Sequence, residues 1–222
     1  VQTYHGLSLR LTGHALSGRN NNDLGSEQLD NIIEEAILIL SGTESLLGLE
    51  PDQSRDRLLA GYRYILVDEY QNIDDAQYRL ISELTGRSLE EDRQLTILAV
   101  GDDDQNIYQF RGANVEFIKK FSEDYQAKQQ YLVENYRSSG HIIAAANALI
   151  IHNRDRMKTQ HPIRINQTRT ELNSGGRWSK LDTLANGRVQ ILPCADEYSQ
   201  AANVVFELKR LQQLDSRLNW SQ

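Results

Sequence analysis

Residues Ile65–Asp74 read ILVDEYQNID, and the fold turns on this stretch. Three apolar residues suited to a strand run straight into two adjacent carboxylates, Asp68 and Glu69. A strand that ends in acid places negative charge at the end of a sheet. In open parallel sheets ligands gather outside the carboxyl ends of the strands, so the pair marks a candidate site as well as a strand. Working outward, Tyr64–Val67 is expected as a strand, Asp75–Leu84 as a helix and Leu95–Val100 as a second strand. Val115–Phe121 follows as a helix, Gln130–Val133 as a strand and Gly140–Ile151 as a helix. Nearly continuous apolar strands alternating with helices predict an α/β fold whose parallel sheet is covered on both faces.

Upstream, Thr3–Leu16 has a loosely helical spacing that SGRNNNDLGS (Ser17–Ser26) interrupts. In EQLDNIIEEAILIL (Glu27–Leu40), Leu29, Ile32, Ile33, Ala36, Ile37 and Leu40 share one helical face. Arg55–Leu59 predicts another short helix. Beyond His152 the regularity fades. Asn153–Thr170 carries five basic residues and one acidic one, and is read equally as a DNA-facing surface or a solvated loop. Val189–Leu192 is expected as a strand and Glu197–Leu211 as an amphipathic helix. A domain boundary is placed where the last strand of the first sheet ends, giving 1–134 and 135–222.

The 222 residues suffice for one large domain or two modest ones, and their 39% hydrophobic and 25% charged content is that of an ordinary globular protein. A net charge of −7 argues against a surface that is basic throughout, so any nucleic-acid contact must be local. The single cysteine, Cys194, excludes an internal disulfide framework and fits a cytoplasmic setting. It is expected as a small buried residue beside Pro193. No apolar run is long enough to span a bilayer, and no membrane partner is expected.

Two more segments bear on the acidic strand end. In GDDDQNIYQFRGA (Gly101–Ala113), Asp102, Asp103 and Asp104 bring carboxylates to a second strand end. Hard oxygens from two neighbouring strands suit Mg²⁺, which binds through one or two carboxylates plus water and substrate phosphates. Gln105 offers an uncharged hydrogen bond. Tyr108 and Phe110, two apart, project to one side of an extended chain, where they are either base-stacking platforms or core aromatics. Arg111 suits a phosphate or a base. In LVENYRSS (Leu132–Ser139) a strand ends in Asn135, Tyr136 and Arg137. The plainer alternatives for Asp68–Glu69 are that the pair begins a solvated loop or caps the helix that begins at Asp75.

Together these segments resemble the motifs of UvrD/Rep/PcrA-like superfamily 1 DNA helicases. VDEYQ (Val67–Gln71) is similar to the family's Walker B motif, VGDDDQNIYQFRGA (Val100–Ala113) to its third motif, and LVENYRSS to its fourth. TYHGLSLRL (Thr3–Leu11) resembles the segment in which a Thr-aromatic-His group touches single-stranded DNA. The third motif is the most specific. The resemblance implies a RecA-like sheet flanked by helices, incomplete here, and the start of a second such domain. It implies an ATP-dependent helicase or translocase that uses ATP and Mg²⁺ and moves on single-stranded or partly duplex DNA, in repair or recombination.

On this resemblance Asp68 coordinates Mg²⁺ and Glu69 activates the hydrolytic water. Gln71 and Gln105 sense the γ-phosphate, Tyr136 packs on the adenine and Arg137 is the arginine finger. Thr3, His5, Tyr108, Phe110 and Arg111 contact DNA.

The sequence departs from the family at Asn72, where a further aspartate is usual, and at Asn106, where serine is common. The interval between TYHG and VDEYQ is short, which implies a reduced helical insert over about residues 14–60. No Gly-Lys dipeptide occurs, so these residues contain no P-loop. The expectation is an internal segment that is inactive by itself. Two other readings compete: a DNA-binding scaffold derived from a helicase fold, and a Mg²⁺-dependent nuclease. The nuclease leaves Gln105 and Arg137 without a role.

Overall fold

The computed structural model describes residues 1–13, 26–44, 51–107, 112–154, 156–166, 168 and 173–218. They form two compact units, 1–129 and 130–222.

The first unit is built around the long apolar stripe of α2 (Ser26–Leu40), which packs on α1 (Tyr4–Leu11), α3 (Pro51–Leu58) and α4 (Asp75–Thr85). Ile33, Ala36, Ile37 and Leu40 join Leu11, Leu59, Leu80 and Leu84 in one core, as the helical spacing requires. Ile39, off the expected face, is buried as well. Each end of α4 is closed by a recognisable device. Asp74 caps the start, its carboxylate accepting from the Gln77 amide at 2.8 Å. Gly86 ends the helix in the left-handed region at φ 68°, and the Arg87 amide reaches back to the Ser82 carbonyl.

Strands β1 (Tyr64–Val67) and β2 (Thr96–Ala99) pair in parallel, Tyr64 with Thr96 through Val67 with Ala99. Both therefore run out at the same level, and their loops emerge side by side. One face of the pair, with Ile65, Val67, Ile97 and Ala99, lies on a second core. That core contains Tyr70, Ile73 and Ile81, with Phe117, Ile118 and Phe121 from α5 (Glu116–Asp124). The other face does not match the expectation of cover on both sides. Tyr64, Leu66, Leu98 and Val100 are exposed, because no described element packs over them.

In the second unit, β3 (Glu134–Asn135) and β4 (Arg164–Ile165) make a separate two-stranded parallel sheet. The strand expected at Gln130–Val133 does not form. Pairing begins at Glu134, just past the expected strand, because the partner arrives from Arg164–Ile165, with the Arg164 amide on the Val133 carbonyl and the Asn166 amide on the Asn135 carbonyl. Helix α6 (Gly140–Ile150) packs on β4. The short α7 (Trp178–Leu181) is tied to α8 (Glu197–Leu214) by an ion pair from Arg210 to Asp182. Val189–Leu192, expected as a strand, pairs with no described strand; Ile191 is almost fully exposed. Cys194 is exposed rather than buried, its thiol 3.4 Å from the Leu192 carbonyl. No described helix is long and apolar enough to cross a membrane.

Candidate nucleotide and metal rim at the strand ends

The chain leaves β1 through an unusual turn. Asp68 is exposed, and its Oδ1 accepts the Glu69 amide at 2.9 Å. Glu69 then adopts the left-handed conformation, φ 54° and ψ 39°, which disfavours a residue with a Cβ by roughly 1–2 kcal/mol. The surrounding hydrogen bonds hold it there. The Tyr70 amide donates to the Val100 carbonyl and the Val100 amide to the Val67 carbonyl, carrying the sheet's ladder past its formal end. The Asn72 amide returns to the Glu69 carbonyl and closes a 3₁₀ turn over Tyr70–Asn72. Tyr70 swings into the core, edge-on to Phe121 at 5.1 Å. Burial pushes its phenol well above the ordinary range. The acids do not cap α4, since Asp74 does that.

The loop after β2 meets this turn. Gln71 is 1% exposed. Its Nε2 donates to Glu69 Oε2 at 2.6 Å, its Oε1 accepts the Asp102 amide at 3.0 Å, and its carbonyl accepts Asn106 Nδ2 at 3.1 Å. Asp102 turns its carboxylate onto its own loop, accepting the Asp104 amide at 3.1 Å and Gln105 Nε2 at 2.8 Å. Asp102, Asp103 and Asp104 hold carboxylate oxygens within 4.8 Å of one another. Glu69, Gln71, Asp102 and Gln105 thus form one connected chain of side-chain bonds, with Asp68 at its edge. Of the two exposed carboxylates at this strand end, Asp68 is the one that could hold Mg²⁺, an ion that keeps several waters and takes other ligands from phosphate.

Thr3 caps α1, its hydroxyl accepting the Gly6 amide at 3.1 Å, and His5 is half-buried in the first turn of that helix. Tyr108, Phe110 and Arg111 lie outside the described residues. In the second unit, Asn135 Oδ1 accepts the amides of Arg137 and Ser138 at 3.0 and 2.7 Å, which turns the chain so that Tyr136 and Arg137 are both exposed. The Tyr136 hydroxyl donates to Glu134 at 3.1 Å, and Asn166 and Arg164 approach the same carboxylate. Sequence reasoning gave no role to Asn106 or Asn135. The available signal was an amide side chain at a strand or loop end, where such residues bond nearby backbone.

Residues 20–126 match the model of the UvrD/REP helicase N-terminal domain. The chain is 43% identical over 96 residues to DNA helicase II of Haemophilus influenzae, a match covering 43% of this chain and 12% of that protein. It is 42% identical over 124 residues to the ATP-dependent DNA helicase Rep of Salmonella typhimurium, covering 55% of this chain and 17% of the relative. For the ATP-dependent DNA helicase PcrA of Leuconostoc citreum the figure is 42% over 117 residues, 50% and 15%. The matches thus span between 12% and 17% of these relatives' own length. The kinship read at the strand ends is found independently along the chain: residues 20–126 are similar to the UvrD/REP helicase N-terminal domain.

Proposed function

We propose that this chain serves in an ATP-dependent DNA helicase or translocase, which couples ATP hydrolysis to movement on single-stranded DNA during repair or recombination. The observation that supports it most is the joining of two strand-end loops, residues 68–72 and 101–106, through Gln71. The relatives that match the chain are themselves named as ATP-dependent DNA helicases.

In this reading the sheet is a RecA-like sheet, with a second such domain beginning near residue 135. Asp68 holds Mg²⁺, which neutralises charge on the transferring phosphoryl group. Glu69 accepts the proton of the attacking water, Gln105 orients the γ-phosphate, and Arg137 supplies a guanidinium to the developing charge. Tyr136 packs on adenine. Thr3, His5, Tyr108, Phe110 and Arg111 meet DNA, the two aromatics by stacking on bases.

Glu69→Gln in the full-length protein tests the assignment. The amide keeps the shape but cannot take a proton, so turnover is expected to fall by about 10²–10⁴-fold while nucleotide binding persists. Ordinary turnover in steady-state assays would remove Glu69 from the role.

A further inference from the structure

Both ends of the Gln71 side-chain amide are engaged by the protein, Nε2 by the Glu69 carboxylate and Oε1 by the Asp102 amide. Its direction is fixed by chemistry: a carboxylate only accepts and a backbone N–H only donates, so Nε2 must face Glu69 and Oε1 must face Asp102. The residue is buried, whereas Glu69 is exposed and otherwise free to change rotamer. From the far side, Gly101 fits closely against this amide. A Cβ there would lie 2.8 Å from Gln71 Oε1 and 2.8 Å from Ile118 Cδ1. Asn106 braces the Gln71 backbone from the same loop.

We propose that Gln71 is a positioning residue. It tethers the Glu69 carboxylate to the loop after β2 and thereby aims it at the water, without touching nucleotide itself. This rests on the reading of Glu69 as the general base. A short bond to an ionised carboxylate is among the stronger hydrogen bonds, and it restricts the rotamers of a long side chain that must be aimed. Gly101 then matters because it leaves room for the tether.

The test uses the full-length protein with Gln71→Met, Gly101→Ala, Glu69→Gln and the Glu69→Gln/Gln71→Met double variant. Gln71→Met keeps the volume and removes both bonds; Gly101→Ala leaves Gln71 in place and crowds it. Each is expected to lower kcat by about 10–100-fold, the usual effect of losing a residue that orients a working group. KM for ATP and the affinity for a fluorescent ATP analogue should stay within about twofold of wild type. The double variant should be no slower than Glu69→Gln alone. Amide hydrogen exchange over residues 100–106 should quicken in Gln71→Met and remain unchanged in Glu69→Gln.

A loss of nucleotide affinity in Gln71→Met, with its melting temperature retained, would overturn the proposal by making Gln71 a nucleotide contact. Normal kcat in Gln71→Met beside a dead Glu69→Gln would defeat the tether alone. Normal kcat in both would defeat the general-base reading itself. Should Gln71→Met fail to fold, Gly101→Ala carries the same comparison.

Discussion

At the scale of single residues, Arg55 shows how much one side chain can do outside any motif. It is 6% exposed, and its guanidinium donates to the Glu83 carbonyl at 3.0 Å, the Leu84 carbonyl at 2.9 Å and the Arg93 carbonyl at 3.3 Å. Two of these are last-turn carbonyls of α4, the slightly negative end of the helix, where the Glu83 carbonyl also accepts the Gly86 amide. Burial lowers the pKa of the guanidinium, and Asp56, 3.6 Å away, opposes that fall. Arg55→Ala would take this donor from the buried Leu84 carbonyl and remove two further, half-buried bonds at once. We expect it to destabilise residues 1–129 by about 3 kcal/mol, read as a lower urea midpoint with an unchanged slope. Arg55→Lys should recover little, since an ammonium cannot span a planar fork's three partners.

At the scale of elements, both ends of α4 are fixed. Its first turn follows the 68–74 loop, and its last turn is clamped by Arg55 and by the left-handed Gly86. Gly86 faces two constraints. An added Cβ would be strained by the positive φ and would come within 2.7 Å of Arg55 Nη2. Gly13, also at positive φ, meets nothing within 4 Å. Gly13→Ala should therefore cost about 1 kcal/mol from conformation alone, and Gly86→Ala about 2–3 kcal/mol once displacement of Arg55 is added. Thermal melting of the two variants side by side separates these contributions. A strand needs a partner as well as the right residues: β4 meets the first segment expected as a strand, Gln130–Val133, only at the Val133 carbonyl, and Val189–Leu192 pairs with no described strand.

At the scale of the whole chain, the two units are held by different means. The buried apolar side chains lie almost wholly in residues 1–129; Ile143 is the one buried apolar residue of 130–222 among the described residues. The second unit leans on polar ties instead. Asp182 accepts from Arg210 at 2.5 Å and from the Leu184 and Ala185 amides, and Asp215 pairs with Arg177 at 3.2 Å and Arg217 at 2.9 Å. The bond from Arg210, then the Ala185 amide, pulls the Asp182 carboxyl down to about 2. A carboxyl lowered on folding stabilises the native state above its unfolded value near 4 and loses that contribution as pH falls toward 2. Residues 130–222 should therefore melt before 1–129, and the gap should widen between about pH 4 and pH 2. Asp182→Asn should flatten this acid limb. Unit-resolved hydrogen exchange across a pH series would show it, and simultaneous acid loss of both units would count against it.

The sequence by itself determined what depends on neighbours along the chain. The apolar period of α2, the strands running into Asp68 and Gly101 and the kinship with helicases all follow from residues within a few positions of one another. Only the tertiary structure decided which side chains meet. It set Gln71 between Glu69 and the Asp102 amide, Arg55 beneath the end of α4, and β4 rather than another strand beside β3. The physical reason is that a polar side chain takes its partner from whatever the folded chain brings within about 3 Å. Arg55 and Leu84 stand 29 residues apart in the sequence, and Gln71 and Asp102 stand 31 apart. Local pattern does not encode distances of that kind.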